Sequence, residues 1–182
     1  ATLNVFDNIA IGNAALYSTA ANAQTGTIAI GASALTALTS GANNTAVGYQ
    51  CLDATDDGSG NTAVGYNALS ANCGDYNTAM GVQSLEATIG QQNVSMGHQS
   101  SMTLVAGVGN VAVGTDALRN AGAAESFNIA IGNQAMRVMD EGTNAHVNNN
   151  IAIGQTALYG ADIGAATLNV FDNIAIGNAA LY

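Results

Sequence analysis

Apolar positions along this chain follow neither a long helical period nor an extended alternation. They return as a short motif, complete in Asn61-Thr62-Ala63-Val64-Gly65-Tyr66-Asn67-Ala68-Leu69. Its pattern is Asn, β-branched, small, apolar, Gly, two free positions, Ala or Ser, and Leu. Ten copies are anchored on Gly12, Gly31, Gly48, Gly65, Gly81, Gly97, Gly114, Gly132, Gly154 and Gly177. Successive anchors lie 19, 17, 17, 16, 16, 17, 18, 22 and 23 residues apart. A period near seventeen is the sign of a solenoid with one repeat per coil.

The columns of the repeat predict its elements. The residue before each glycine is always Ile, Val or Met. The residue two places earlier is Ile, Val or Thr, and Ala or Ser95 stands between them. Spacing of two puts the first two columns on one side of a β-strand and the small column on the other. The uniformly apolar column before the glycine predicts a buried seam. The small column then predicts a face packed against another chain, or against the turn segment of its own. After the glycine, Ala and Leu replace the β-branched residues. Leu35 with Leu38, and Met136 with Met139, repeat at three, which suits a short helical or tight-turn segment; a second short strand is the competing arrangement. The leucine column, from Leu16 to Leu181, closes the core from the far side. It is broken at Ser101, where Met102 is a candidate substitute. Asn four residues before the glycine, in all copies but the one with Thr27, suits either a turn preference or amides bonded from coil to coil.

The fold class expected is therefore an all-β parallel β-solenoid or β-roll, one coil per ~17 residues, continuous over 1–182. The extra residues of the two long coils, in stretches such as 140–150, should bulge outward and leave the stack intact. A larger period is superposed: 1–17 recur unchanged at 166–182. One superrepeat thus spans 1–165, with the next copy beginning at 166. The last coil reads as an ordinary interior coil, which predicts a tandem array extending end to end.

Composition narrows the function classes. The formal charge of −10, with Arg119 and Arg137 the only arginines and no lysine, argues against nucleic acid and anionic membrane surfaces. No apolar run is long enough to span a bilayer. Charged residues are only 8%, so solubility rests on Asn, Thr, Ser, Gln and Gly, a composition suited to open medium. Cys51 takes the place of a small core residue and Cys73 lies in a connecting loop, which predicts two unpaired thiols.

Candidate chemistry is thin. His98 and His146 have no companion at metal-ligand spacing and read as solvent-facing loop residues. Asp53, Asp56 and Asp57, followed by Gly58 and Gly60, suggest a calcium loop but lack its alternating order, and a solvated acidic turn is the expectation. No nucleophile stands beside a base, and the carboxylates are scattered. Gly107-Val108-Gly109 lacks the third glycine of a nucleotide loop. No enzyme, cofactor, metal or catalytic residue is expected. Tyr49 and Tyr66 follow successive glycines and should stack on the surface, as coil packing or as a platform for sugar rings.

The Asn-x-Ala-Ile/Val-Gly register resembles the head repeats of trimeric autotransporter adhesins. NTAVGYQCL and NTAVGYNAL look still more like repeats of phage tail fibres and bacterial surface proteins, some of which carry a C-terminal chaperone-of-endosialidase peptidase domain. The coils here are longer than typical adhesin-head repeats. Apolar residues do not recur every six, so the hexapeptide left-handed helix matches less well. The resemblance implies a left-handed parallel β-roll assembled as a homo-oligomer, in particular a trimer, in an extracellular, cell-surface or virion-fibre setting. The function expected is a structural filament, fibre or adhesin shaft built from tandem repeats, whose partner is itself. The alternative is a tail-fibre segment that binds a receptor or glycan. A lesser alternative is an ice-binding solenoid, suggested by Thr45, Thr62 and Thr78 in register.

Overall fold

A computed structural model describes residues 7–17, 24–120, 125–137, 147–160 and 170–181. The chain winds as a parallel β-solenoid, and no helix occurs among the described residues. Ten three-residue strands form one sheet: β1 (Ile9–Ile11), β2 (Ile28–Ile30), β3 (Thr45–Val47), β4 (Thr62–Val64), β5 (Thr78–Met80), β6 (Val94–Met96), β7 (Val111–Val113), β8 (Ile129–Ile131), β10 (Ile151–Ile153) and β12 (Ile174–Ile176). All neighbours are parallel and pair like with like, as in Ala46↔Ala63↔Ala79. Two-residue strands β9 (Val147–Asn148) and β11 (Val170–Phe171) pair separately in the long coils. The stretches 138–146 and 161–169 of the long coils lie outside the described residues, and across them β8, β10 and β12 keep the common register.

The strand faces are the reverse of the expectation from apolarity. Ala29, Ala46, Ala63, Ala79, Ser95, Ala112, Ala130 and Ala152 are fully buried. Their Ile, Val, Met and Thr neighbours are half-buried or exposed, and Val47, Val64 and Val113 point outward. The small column is therefore the inside of the coil, and it cannot be the face that meets another chain. The reason is cross-section. Leu35, Leu52, Leu69, Leu85 and Leu118 already fill the interior from the opposite wall, and only Ala or Ser fits between them and the sheet. A branched side chain there would overpack a narrow tube.

Turns, not a helix, carry the chain from strand to leucine wall. The amide three residues after the anchor bonds back to the glycine carbonyl (Ala15 N to Gly12 O, 3.3 Å), and the next turn closes likewise (Leu38 N to Leu35 O, 3.4 Å). Positive φ recurs at the second and fourth residues after the anchor, as at Asn67 (51°) and Leu69 (51°). Type II turns demand positive φ at their third residue. A left-handed backbone disfavours β-branched side chains, so the wall column holds Leu, Met and Ser but never Ile or Val. The bonds of this segment also run between coils. Asn67 N donates to Tyr49 O (3.1 Å), and Leu69 N to Ser84 O (3.0 Å).

The anchor glycine combines two constraints. At Gly65 φ is 139°, and a Cβ would press into the Gly81 carbonyl of the next coil. The asparagine column is a buried amide ladder. Asn44 Oδ1 accepts from Asn61 N (2.9 Å), Asn61 Oδ1 from Asn77 N (2.8 Å), and the chain of bonds runs on to Asn173. Each Oδ1 satisfies a backbone donor that no strand partner reaches. At Thr27 the ladder changes: its amide donates to Asn8 Oδ1 (2.8 Å), but its own hydroxyl is buried without a partner.

Candidate interaction face

The feature that the core leaves over is the outer face of the ten-stranded sheet. It is two columns wide and carries twenty side chains, all Ile, Val, Met or Thr. Interior rungs stay open to solvent: Ile30, Met80, Met96, Ile131 and Ile153 are 36 to 41% exposed. None of the twelve acids of the chain stands in these columns. At about 4.8 Å per strand and 3.3 Å per residue, the strip is roughly 43 Å long and 10 Å wide. A strip of this size is comparable to the largest apolar patch on a typical monomer, which is often functional.

Thr45, Thr62 and Thr78 occupy three successive rungs of the same face. They were expected to share a side with the apolar column before the glycine, and they do, but that side is the outside. At the corner beyond the strand, Tyr49 and Tyr66 stack with ring centroids 5.7 Å apart and planes 6° from parallel. Both rings are about half exposed. A second kind of aromatic contact lies on the other flank. Gly60 (φ 69°) sits under the Tyr76 ring, and Gly109 (φ 69°) under the Phe127 ring, so a Cβ at either would strike the ring. Sequence reasoning did not single out Tyr76 and Phe127. Their position directly before the ladder asparagine, opposite a glycine in the preceding coil, is the signal that could have found them.

The remaining candidates stay apart. His98 is exposed, and His146 lies outside the described residues. Asp53, Asp56 and Asp57 follow one turn. Asp57 points to solvent, while burial raises the Asp53 carboxyl above its ordinary value. Among the described residues, no three His, Cys, Asp or Glu side chains converge on a metal-sized site. Gly107 lines the interior, where a Cβ would meet the Leu104 side chain and the Glu125 backbone; with Gly109 under a ring, the pair is a packing device. Both arginines engage Asp116, at 3.4 Å from Arg119 and 3.8 Å from Arg137, and Arg137 Nη1 donates to Tyr159 Oη (3.3 Å). Cys51 and Cys73 are free and buried. Desolvation pushes the Cys51 thiol up to about 12 and raises Cys73 as well, so both are neutral thiols at ordinary pH. Cys51 Sγ donates to Ala63 O (3.1 Å), and Cys73 pairs with Thr55 Oγ1 (3.3 Å).

Comparison with family models, with curated proteins and with solved structures gives no match.

Proposed function

We propose that this chain is a stretch of structural rod, an extracellular filament, fibre or adhesin shaft, in which copies of the chain pack side by side through the outer sheet face. The observation that carries the reading is the uncharged apolar strip running the length of the sheet. At roughly 43 Å by 10 Å the strip covers about 430 Å², about half of the ~800 Å² that each partner contributes to a standard interface. A −10 chain can bring these faces together because its charges lie elsewhere. Three copies is the number the resemblance implies, and tandem continuation along the axis supplies length. Light scattering should give an integral multiple of the 18.1 kDa chain mass. Ile131→Asp should drive the assembly to monomer, because it buries an unpaired charge. A wild-type monomer at high concentration sinks the reading.

The Tyr49–Tyr66 stack favours a second reading, a fibre segment that binds glycans on a stacked aromatic corner. Glycan-array binding that is lost in Tyr49→Ala would support it. The outward threonines bring in ice binding as a third, and thermal hysteresis measured on the wild type is its test.

A further inference from the structure

One corner of the rod is a column of side chains with a single short member. The residue after each anchor glycine is Asn, Tyr, Val, His, Thr or Gln in nine of the ten coils, and Ala32 in the other. The backbone keeps its register through this point. Ser33 N donates to Asn13 O (2.8 Å), Gln50 N to Ala32 O (3.0 Å) and Asn67 N to Tyr49 O (3.1 Å). Asn13, Ala32, Tyr49 and Tyr66 therefore follow one another one coil, about 4.8 Å, apart. Tyr66 stacks on one side of the Tyr49 ring. Towards the other side Ala32 offers only a methyl group, and it remains partly open to solvent. Asn13, the next long side chain, stands two coils from Tyr49, about 9.6 Å away. With carbon contacts of about 3.5–4.0 Å, that interval admits one further ring between the tyrosine and the amide.

The rim of the interval is polar and unengaged. In the neighbouring column Asn67 and Gln83 donate to Glu86, and Gln99 donates to Gln83. Asn13, Ser33 and Gln50, which border the interval, make no side-chain hydrogen bond to the described residues. Both arginines are committed to Asp116, several coils away, so a chain of net charge −10 has no cation here for an anionic ligand. We propose that the place over Ala32 binds one uncharged pyranose ring of a glycan, which extends the Tyr49–Tyr66 stack as its third ring. This rests on the glycan reading above and names its ligand class and its seat. The C–H face of such a ring covers Tyr49, and its rim hydroxyls meet the amides of Asn13 and Gln50 and the hydroxyl of Ser33. A sialylated or sulfated sugar is disfavoured, because its charge loses water and gains no partner.

The test is to fill the place from within. Ala32→Tyr supplies the third ring covalently, and the next two coils already carry Tyr at the same position, so the backbone accepts it; urea unfolding checks that it folds. Wild type, Ala32→Tyr, Tyr49→Ala and Tyr66→Ala are applied to an array of neutral oligosaccharides and their sialylated counterparts, and the strongest binder is titrated by NMR. The expected result is binding of neutral glycans by the wild type, weakened by about tenfold or more in both Ala32→Tyr and Tyr49→Ala. Tyr66→Ala, which removes only the support behind Tyr49, should weaken it by about two- to threefold. Binding that is lost in Tyr49→Ala but unchanged in Ala32→Tyr would overturn the seat over Ala32 and leave the glycan reading standing. A preference for the sialylated counterparts would overturn the uncharged class. A wild type that binds none of the glycans would overturn both the proposal and the glycan reading, and would leave the structural rod untouched.

Discussion

Ala63 and its neighbours Thr62 and Val64 share a strand of three residues, yet they live in opposite environments. Ala63 is fully buried, while the two flanking side chains look outward. The more apolar side chains are on the outside. What separates the two faces is volume, because the tube behind the sheet is already filled by Leu52, Leu69 and Leu85. Burial in a thin solenoid goes to the side chain that fits, and the larger apolar side chains are left on the surface.

Substitutions on the two faces should therefore behave in opposite ways. The largest effect belongs to the wall that fills the tube. Leu69→Ala should cost about 2–5 kcal/mol in urea unfolding, as a cavity that a stiff stack cannot collapse. Ala63→Leu should come next, with a loss of about 1–3 kcal/mol from overpacking. The same change next door, Thr62→Leu, should leave monomer stability within about 0.5 kcal/mol. If Ala63→Leu is tolerated and Thr62→Leu is not, the assignment of faces is wrong.

Cys51 sharpens the comparison through pH. Its folded thiol, raised to about 12, exceeds its ordinary value, so the native state holds the proton more tightly than the unfolded chain does. The associated stability is complete below about pH 8.5 and is lost as pH climbs towards the folded value, by up to ~1.4 kcal/mol per unit. Cys51→Ala, which restores the residue type that other coils use, should flatten that alkaline loss relative to wild type. Urea midpoints of the two proteins at pH 7, 9 and 11 measure the difference; parallel curves would mean that the thiol is not sealed inside. Smallest of the inward effects, Thr27→Asn should stabilise by about 1 kcal/mol, since it replaces an orphaned hydroxyl by the amide that the other coils carry. Val64→Asp, on the outer face, should change monomer unfolding by less than ~0.5 kcal/mol while weakening self-association measured by sedimentation.

The coil period, the ten strands, their register and the leucine wall were all legible in the sequence, because each is a column that the repeat samples ten times. The unpaired cysteines were legible from their unlike places in the repeat, and the Tyr49–Tyr66 stack from two tyrosines following successive anchor glycines. Which strand face lies inside was not. Three-residue strands offer two outward positions for each inward one, and the outward pair, Ile9 with Ile11 for instance, is more apolar than Ala10. Counting hydrophobic residues therefore picks the wrong side. A tight turn after the glycine was named beside a helical one, and the choice between them was not legible. Positive φ at Leu35, Leu52 and Leu69 leaves only a negative trace, the lack of β-branched residues in that column, which a search for helical spacing passes over. The amide ladder was one of two open readings of the asparagine column, since composition cannot tell a turn preference from bonds between coils.

Because strand, turn and amide-ladder bonds alike run from coil to coil along the axis, the rod has a particular mechanics. The two ends of the chain lie at opposite ends of the stack, so tension applied to them peels coils from the tips one at a time, without shearing the interior. Each coil that lets go trades about 4.8 Å of axial rise for ~17 residues of extended chain, a gain of roughly 50–55 Å. Pulled as a single molecule, the stack should yield as a ratchet of evenly spaced steps, longer where the two widest coils release. Fastened along its outer face to its own copies, the same rod would hold those coils in place and transmit load as a stiff strut.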